Sequence, residues 1–118
     1  MMTNEDISPL KPGKALNILV AEHIMKRRVI NDEIFGDLEI CYDQSGNTIY
    51  QRVLPYSEDL AAAREVINKM FNAGYAEAAY WKDETRPEVI CRASLRIVLR
   101  ERKAREKKER LRRLRVVK

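Results

Sequence analysis

The residue types that most often carry acid–base, nucleophilic or metal chemistry are sparse in this chain. It has one histidine, His23, and two cysteines, Cys41 and Cys91, fifty residues apart. None of them has the spacing of a zinc site, and neither cysteine belongs to a C-x-x-C pair. His23 falls on the apolar stripe of a predicted helix, so we favour a packed core histidine over a general base or a metal ligand. A nucleophile–base pair of Cys91 with His23 would need a contact that the sequence does not predict.

Four acidic residues lie across a predicted hairpin: Glu33, Asp37, Glu39 and Asp43. Two close carboxylates among them could hold Mg²⁺. Strand alternation would place Asp37, Glu39 and Cys41 on one face of the hairpin. The opposite face would carry the apolar residues Leu38, Ile40 and Tyr42. We favour a solvent-facing acidic face over a metal site.

Aromatic residues offer a second kind of chemistry, the stacking of nucleic-acid bases. The candidates are Tyr50, Tyr56, Tyr75, Tyr80 and Trp81. We favour core or interface positions for most of them and keep the stacking platform as an alternative. Phosphate-binding glycine motifs and a G-x-S-x-G nucleophile motif are absent from the sequence. We therefore expect a protein that is not an enzyme and that needs no metal or cofactor.

Positive charge is concentrated at the C-terminus. Residues 100–118, which we call the basic extension, hold eleven basic and three acidic residues, a net charge of +8 within a chain total of +5. The remaining residues carry a net charge of −3. Such a segment is a candidate contact for phosphate-rich partners. The predicted nucleic-acid-binding residues are Arg100, Arg102, Lys103, Arg105, Lys107, Lys108, Arg110, Arg112, Arg113 and Arg115.

The basic extension is predicted to be helical. It contains three acid-before-base pairs at four-residue spacing, Glu101–Arg105, Glu106–Arg110 and Glu109–Arg113, each worth ~0.3 kcal/mol to an isolated helix. A continuous helix over residues 86–115 would be about 45 Å long. Its heptad seam through Ala104 and Leu111 is weak, because the complementary positions are polar.

The elements upstream follow from hydrophobic periodicity and turn residues. A helix opens at Pro12-Gly13 and closes at residues 26–28. A first strand is expected to run from Val29 to about Gly36, and residues 37–54 form a hairpin around a turn at 44–47. A second helix is capped by Ser57 and ends at Gly74. Residues 75–81 are predicted as a further strand, and a Thr85–Glu88 capping box opens the last helix.

Three stretches resemble, in the same order, blocks of the phage ABA-sandwich domain family: PGKALNILVAEHIM at 12–25, LPYSEDLAAAREVINKM at 54–70 and ETRPEVICRASLRIVL at 84–99. The chain departs from the family pattern at Asn17, at residues 57–59 and at residues 86–88. The resemblance implies a helix/sheet/helix layering and a phage or prophage origin, and it implies no catalytic residues. The basic extension lies outside it.

Together these observations predict an α+β protein of helix/sheet/helix (ABA) type with a small, mostly antiparallel sheet and a long C-terminal helix. The expected divisions are a loose lead-in over 1–11, an α/β domain over 12–99 and the basic extension over 100–118. The N-terminus carries Glu5 and Asp6 in place of a basic signal region. The longest uncharged apolar stretch is far shorter than the ~20 residues that span a bilayer. We expect a cytoplasmic protein of a bacterial host, with free thiols and without membrane contact.

Two functions remain open from the sequence. The first is a small phage accessory protein acting as a binding module, whose basic extension contacts nucleic acid without sequence preference or an acidic protein surface. The second is an oligomeric structural or host-interaction protein, whose last helix packs on a partner through Ala104, Leu111 and Leu114. A variant of the second sequesters a small phosphorylated signal in a basic pocket, for which the available lining residues are Lys26, Arg27, Arg28 and Arg52.

Overall fold

The computed structural model describes residues 10–116, with side chains through Leu114. The elements in chain order are α1 (Lys14–His23), β1 (Arg28–Asp32), β2 (Gly36–Tyr42), β3 (Thr48–Arg52), α2 (Leu60–Asn72), a 3-10 helix (Ala76–Trp81) and α3 (Pro87–Val116). The predicted α+β class is confirmed: a helix, a small antiparallel sheet and further helices follow one another along the chain, and the last helix is long. Most of the lead-in over 1–11 lies outside the described residues.

The helices build the main core. Leu16, Val20 and Ile24 of α1 are buried, as the predicted stripe requires. They pack with the apolar face of α2 and with residues of α3 such as Ile90 and Leu95. Burial of apolar side chains is worth about 25 cal/mol per Å², so this contact is the main source of stability.

The three strands form an antiparallel sheet in the order β1-β2-β3. The predicted hairpin of β2 and β3 is confirmed, with Glu39 opposite Gln51 and Gly46 in the left-handed region at φ +85°. The first strand was predicted too long. Its chain turns after Asp32, because the carboxylate of that residue accepts the N–H groups of Ile34 (2.8 Å) and Phe35 (2.9 Å). A short side-chain acceptor of this kind competes with strand pairing.

The N-terminus of α2 corrects the predicted cap. Asp59 caps the helix by accepting the N–H of Ala62 (3.0 Å). Ser57 is buried instead, where its hydroxyl accepts the Gly13 N–H (2.9 Å) and donates to Asn17 (2.6 Å). Ser57 therefore ties the loop before α2 to the start of α1.

Residues 75–81 are not a strand, which corrects a second prediction. Ala76–Trp81 forms a 3-10 helix, and Ala78 is buried against the helical core. Alanine is a poor strand former. A strand here would also need a pairing partner, whereas the 3-10 helix lets the small side chain of Ala78 pack in the core. Gly74, with φ +96°, ends α2 as predicted.

Helix α3 has 30 residues and contributes both to the core and to the longest dimension of the molecule, 53 Å. It begins at Pro87. The Arg86 N–H at its start is accepted by the Glu84 carboxylate (3.1 Å), in place of the predicted Thr85–Glu88 capping box. Within residues 10–116 no helix combines the length and the hydropathy needed to cross a membrane.

Candidate nucleic-acid interface

The basic part of α3 is anchored to the body at its beginning. The Arg102 guanidinium donates to Nδ1 of His23 on α1 (3.0 Å), and Glu101 interacts with the Tyr75 hydroxyl. Arg105 is paired with Glu101 (2.5 Å). Arg102 and Arg105 are therefore engaged by side chains of the protein itself, although both were predicted to contact nucleic acid, and Arg105 stays largely exposed.

Seven of the other eight predicted residues are exposed to solvent: Arg100, Lys103, Lys107, Lys108, Arg110, Arg112 and Arg113. The Arg115 side chain lies outside the described part of the chain. Of the three predicted acid–base pairs, Glu101–Arg105 forms. The other two, Glu106–Arg110 and Glu109–Arg113, are not closed to salt-bridge distance among the described side chains.

Charge is unevenly distributed around this helix. With 3.6 residues per turn, Glu101, Glu106 and Glu109 fall on the half of the circumference that continues the buried stripe of Cys91 and Val98. The opposite half has no acidic residue between positions 100 and 114. We name its basic residues the outer basic stripe: Arg100, Lys103, Lys107 and Arg110. The stripe follows the spacing i, i+3, i+7, i+10 and extends for about 15 Å.

The acidic hairpin does not neutralise this stripe. Asp37 pairs with Lys14 of α1 (3.0 Å), and Glu39 pairs with Arg27. Asp43 accepts the N–H groups of Ser45 (2.9 Å) and Asn47 (2.8 Å) inside its own turn, which lowers its pKa below the usual value. These three carboxylates are thus engaged away from α3 and do not offset the positive charge of the stripe.

Glu39 corrects the predicted solvent-facing acidic face. Its side chain is fully buried, because this face of the sheet packs towards the helices. Tyr56 donates to the carboxylate (2.9 Å), Gln51 donates to it (2.7 Å), and Arg27 forms a charged hydrogen bond with it. Burial and the adjacent carboxylate raise the pKa of Tyr56 above its usual value, so the phenol stays protonated as a donor. This cluster is enclosed and saturated, which suits a structural role and not contact with a substrate.

His23 borders a cleft of about 430 Å³ between α1, the end of α2 and α3, which we name the His23 cleft. A guanidinium can only donate hydrogen bonds, so Nδ1 must accept and the imidazole is neutral. Burial, and then the charge of Arg102, lower the pKa of His23 below its ordinary value. The cleft walls mix cations such as Lys26 and Lys69 with acids such as Glu77. The sequence analysis favoured a packed core histidine, but partial exposure places His23 at the rim of the core.

The other predicted sites are not assembled in the described residues. Both cysteines are free, and burial raises the pKa of the Cys91 thiol to about 12, which leaves it protonated. No group of three or more metal-ligating side chains converges in residues 10–116. The basic pocket of the sequestration hypothesis is dispersed, because Arg27 points to Glu39 whereas Arg28 and Arg52 lie on the far face of the sheet.

That far face carries the feature that sequence reasoning missed. Since Glu39 points inwards, the alternate residues of β2 and their strand partners point away from the helices. We name this surface the outer sheet face; it contains Arg28, Ile30, Leu38, Ile40, Tyr42, Tyr50 and Arg52. The alternation was visible in the sequence, but the direction in which each set points was not.

Comparison of the chain with protein-family models, with curated proteins and with solved structures gives no match.

Proposed function

We propose that this protein is a non-enzymatic nucleic-acid-binding module, a small phage or prophage accessory protein whose outer basic stripe contacts the phosphate backbone. The observation that carries the proposal is the segregation of charge on α3. The outer half of its circumference presents exposed cations without a single acid between residues 100 and 114, while Asp37 and Glu39 of the hairpin are paired with Lys14 and Arg27.

The chemistry of the stripe fits phosphates better than bases. Its cations lie on a continuous helix and are exposed to solvent. Arg100 and Arg110 can each hold a phosphate through two hydrogen bonds. Phosphate contacts carry no sequence information. Binding is therefore expected to be insensitive to sequence and strongly dependent on salt.

Replacing Arg100, Lys103, Lys107 and Arg110 together by glutamine removes four charges and preserves helix propensity. If each cation neutralises one phosphate, the log–log slope of affinity against salt on duplex DNA becomes shallower by about 3.6. The measurement is a fluorescence-anisotropy titration of a labelled duplex at several salt concentrations.

The matched control removes the same number of charges from the body, at the exposed residues Lys11, Arg64, Lys69 and Lys82. Its slope should stay close to that of the unmodified protein. Equal effects of the two variants would mean that net charge alone drives the binding. An unchanged slope in the stripe variant would refute the proposal.

A second candidate function is favoured by two exposed leucines on the same helix. Leu111 is 52% exposed and Leu114 is 65% exposed, beside the small residue Ala104. They would pack α3 against another copy or against a protein with an acidic surface. Light scattering of the unmodified protein and of a Leu111→Gln/Leu114→Gln variant separates the two functions. A mass that falls in the variant, with DNA affinity unchanged, favours this second candidate.

A further inference from the structure

We propose that the outer sheet face is a second nucleic-acid site, which stacks unpaired bases of a single strand on Tyr42 and Tyr50. This inference rests on the proposed function, because it takes nucleic acid as the ligand. It adds a specificity for single-stranded segments that the outer basic stripe alone does not have.

The composition of this face differs from that of an ordinary solvated surface. Its floor consists of Ile30 and Ile40, which are half-buried, and Leu38, which is buried; none of them belongs to the helical core cluster. Tyr42 (69% exposed) and Tyr50 (59% exposed) rise from it into solvent. Exposed tyrosines over an apolar floor offer flat aromatic surface at a small cost in side-chain ordering.

The register brings the two tyrosines together. Tyr50 lies opposite Ile40 on the neighbouring strand, and Tyr42 lies opposite Thr48. The two tyrosines thus occupy diagonal positions on neighbouring strands, with their backbones ~7–8 Å apart. Neighbouring aromatics on an exposed antiparallel sheet are a recurrent means of holding successive unpaired bases, and such stacking tolerates any base.

Two arginines supply the charge that a nucleic-acid strand requires. Arg28 lies opposite Ile40 on the other side, in the same row as Tyr50, and Arg52 is two residues beyond Tyr50 on β3. Both are exposed. The acid on this face, Asp32, is committed to the backbone of the β1–β2 turn. Two cations on the same face as the rings match a phosphate backbone better than they match a second copy of the face, which brings two further cations.

The test uses the full chain with two probes, a labelled single strand of twenty thymidines and a labelled duplex of the same length. Tyr42→Leu/Tyr50→Leu keeps the apolar character of the face and removes the rings. Affinity for the single strand should fall by about fivefold or more for each ring, the low end of what one stacked base contributes. Its salt slope should not change, because no charge is removed, and duplex affinity should not change, because paired bases are closed to stacking.

Two further variants control for folding and for the loss of any tyrosine. Tyr42→Phe/Tyr50→Phe keeps the rings and should bind the single strand like the unmodified protein. Tyr80→Leu removes another exposed tyrosine, 86% exposed and outside the sheet, and should have no effect. Single-strand binding restored by phenylalanine assigns the loss to stacking and not to misfolding.

The outcomes separate this inference from the proposed function. If the leucine variant binds the single strand as tightly as the unmodified protein while the stripe variant loses affinity, the proposed function stands and this inference fails. If the leucine variant loses affinity and the stripe variant does not, the sheet is the binding surface and the stripe proposal fails. A change of mass in the leucine variant with unchanged affinity would show that the face joins two copies, which also overturns the inference. An unmodified protein that binds neither probe refutes both.

Discussion

The Glu39 carboxylate accepts hydrogen bonds from three side chains and has no exposed surface. Removing it leaves the Arg27 guanidinium, three-quarters covered, without its counter-charge. Breaking one partner of a buried ion pair typically costs about 3–5 kcal/mol. We therefore predict that Glu39→Ala lowers the free energy of unfolding by that amount, measured by urea denaturation.

The matched control is Glu33→Ala, an exposed carboxylate in the turn between β1 and β2, which should change stability by less than about 0.5 kcal/mol. Replacing both charges, as in Arg27→Met/Glu39→Leu, should recover most of the loss because no unpaired charge remains. A double variant as unstable as Glu39→Ala would show that the charges themselves are not the cause.

His23 makes the free energy of unfolding depend on pH near 6.5, its ordinary pKa. Its pKa is lowered in the folded protein, by burial first and by Arg102 second, from an ordinary value of 6.5. The unfolded chain therefore binds the proton more readily, and folding stability falls as pH drops through and below 6.5. The carboxylates with lowered pKa, such as Asp37 and Glu101, titrate at more acidic pH.

We predict that the unmodified protein loses stability between pH 7.5 and 5.5 and that His23→Gln loses less over the same interval. Thermal unfolding monitored by circular dichroism across this pH range measures the difference. Parallel pH profiles of the two proteins would contradict the assignment, whatever their absolute stabilities.

At the scale of elements, hydrophobic periodicity predicts the positions of the helices correctly. It does not predict correctly which face of the sheet is buried. The stripe of Leu16, Val20 and Ile24 predicts both the existence of α1 and its buried side, because an amphipathic helix has one apolar face. In β2 the alternation is equally clear, yet the apolar set faces outwards. The reason is Glu39, which is buried because it binds Tyr56 and Arg27. These partners come from outside the hairpin, so the alternation within β2 does not predict them.

The remaining errors have local causes. Asp32 ends β1 early through its side-chain hydrogen bonds, and Ala78 favours a 3-10 turn over a strand. The candidate site, too, is only partly predictable from the sequence. Composition identified the cations of the basic extension, but separating the outer stripe from the anchored Arg102 and Arg105 required the rotational phase of α3 relative to the core.

At the scale of the whole molecule, the part of α3 beyond Leu99 is held against the body near its beginning. Arg102 reaches His23, and Glu101 reaches Tyr75. Contacts of the body therefore extend past the division predicted at residue 99, and that division remains a prediction.

We expect a chain ending at Arg105 to unfold at the same urea concentration as the full chain. A chain ending at Leu99 should be less stable by about 1 kcal/mol, the contribution of the hydrogen bond from Arg102. Denaturation curves of the two shortened chains test this. A loss of stability already at Arg105 would mean that the cations beyond it support the body.

The continuity of α3 has a mechanical consequence. Beyond Pro87 the helix contains neither glycine nor proline, so it has no built-in joint between the segment packed in the core and the segment in solvent. A helix of this kind behaves as a stiff strut. A partner that binds the distal turns of α3 therefore also sets the direction in which the folded body points and the distance between the body and that partner.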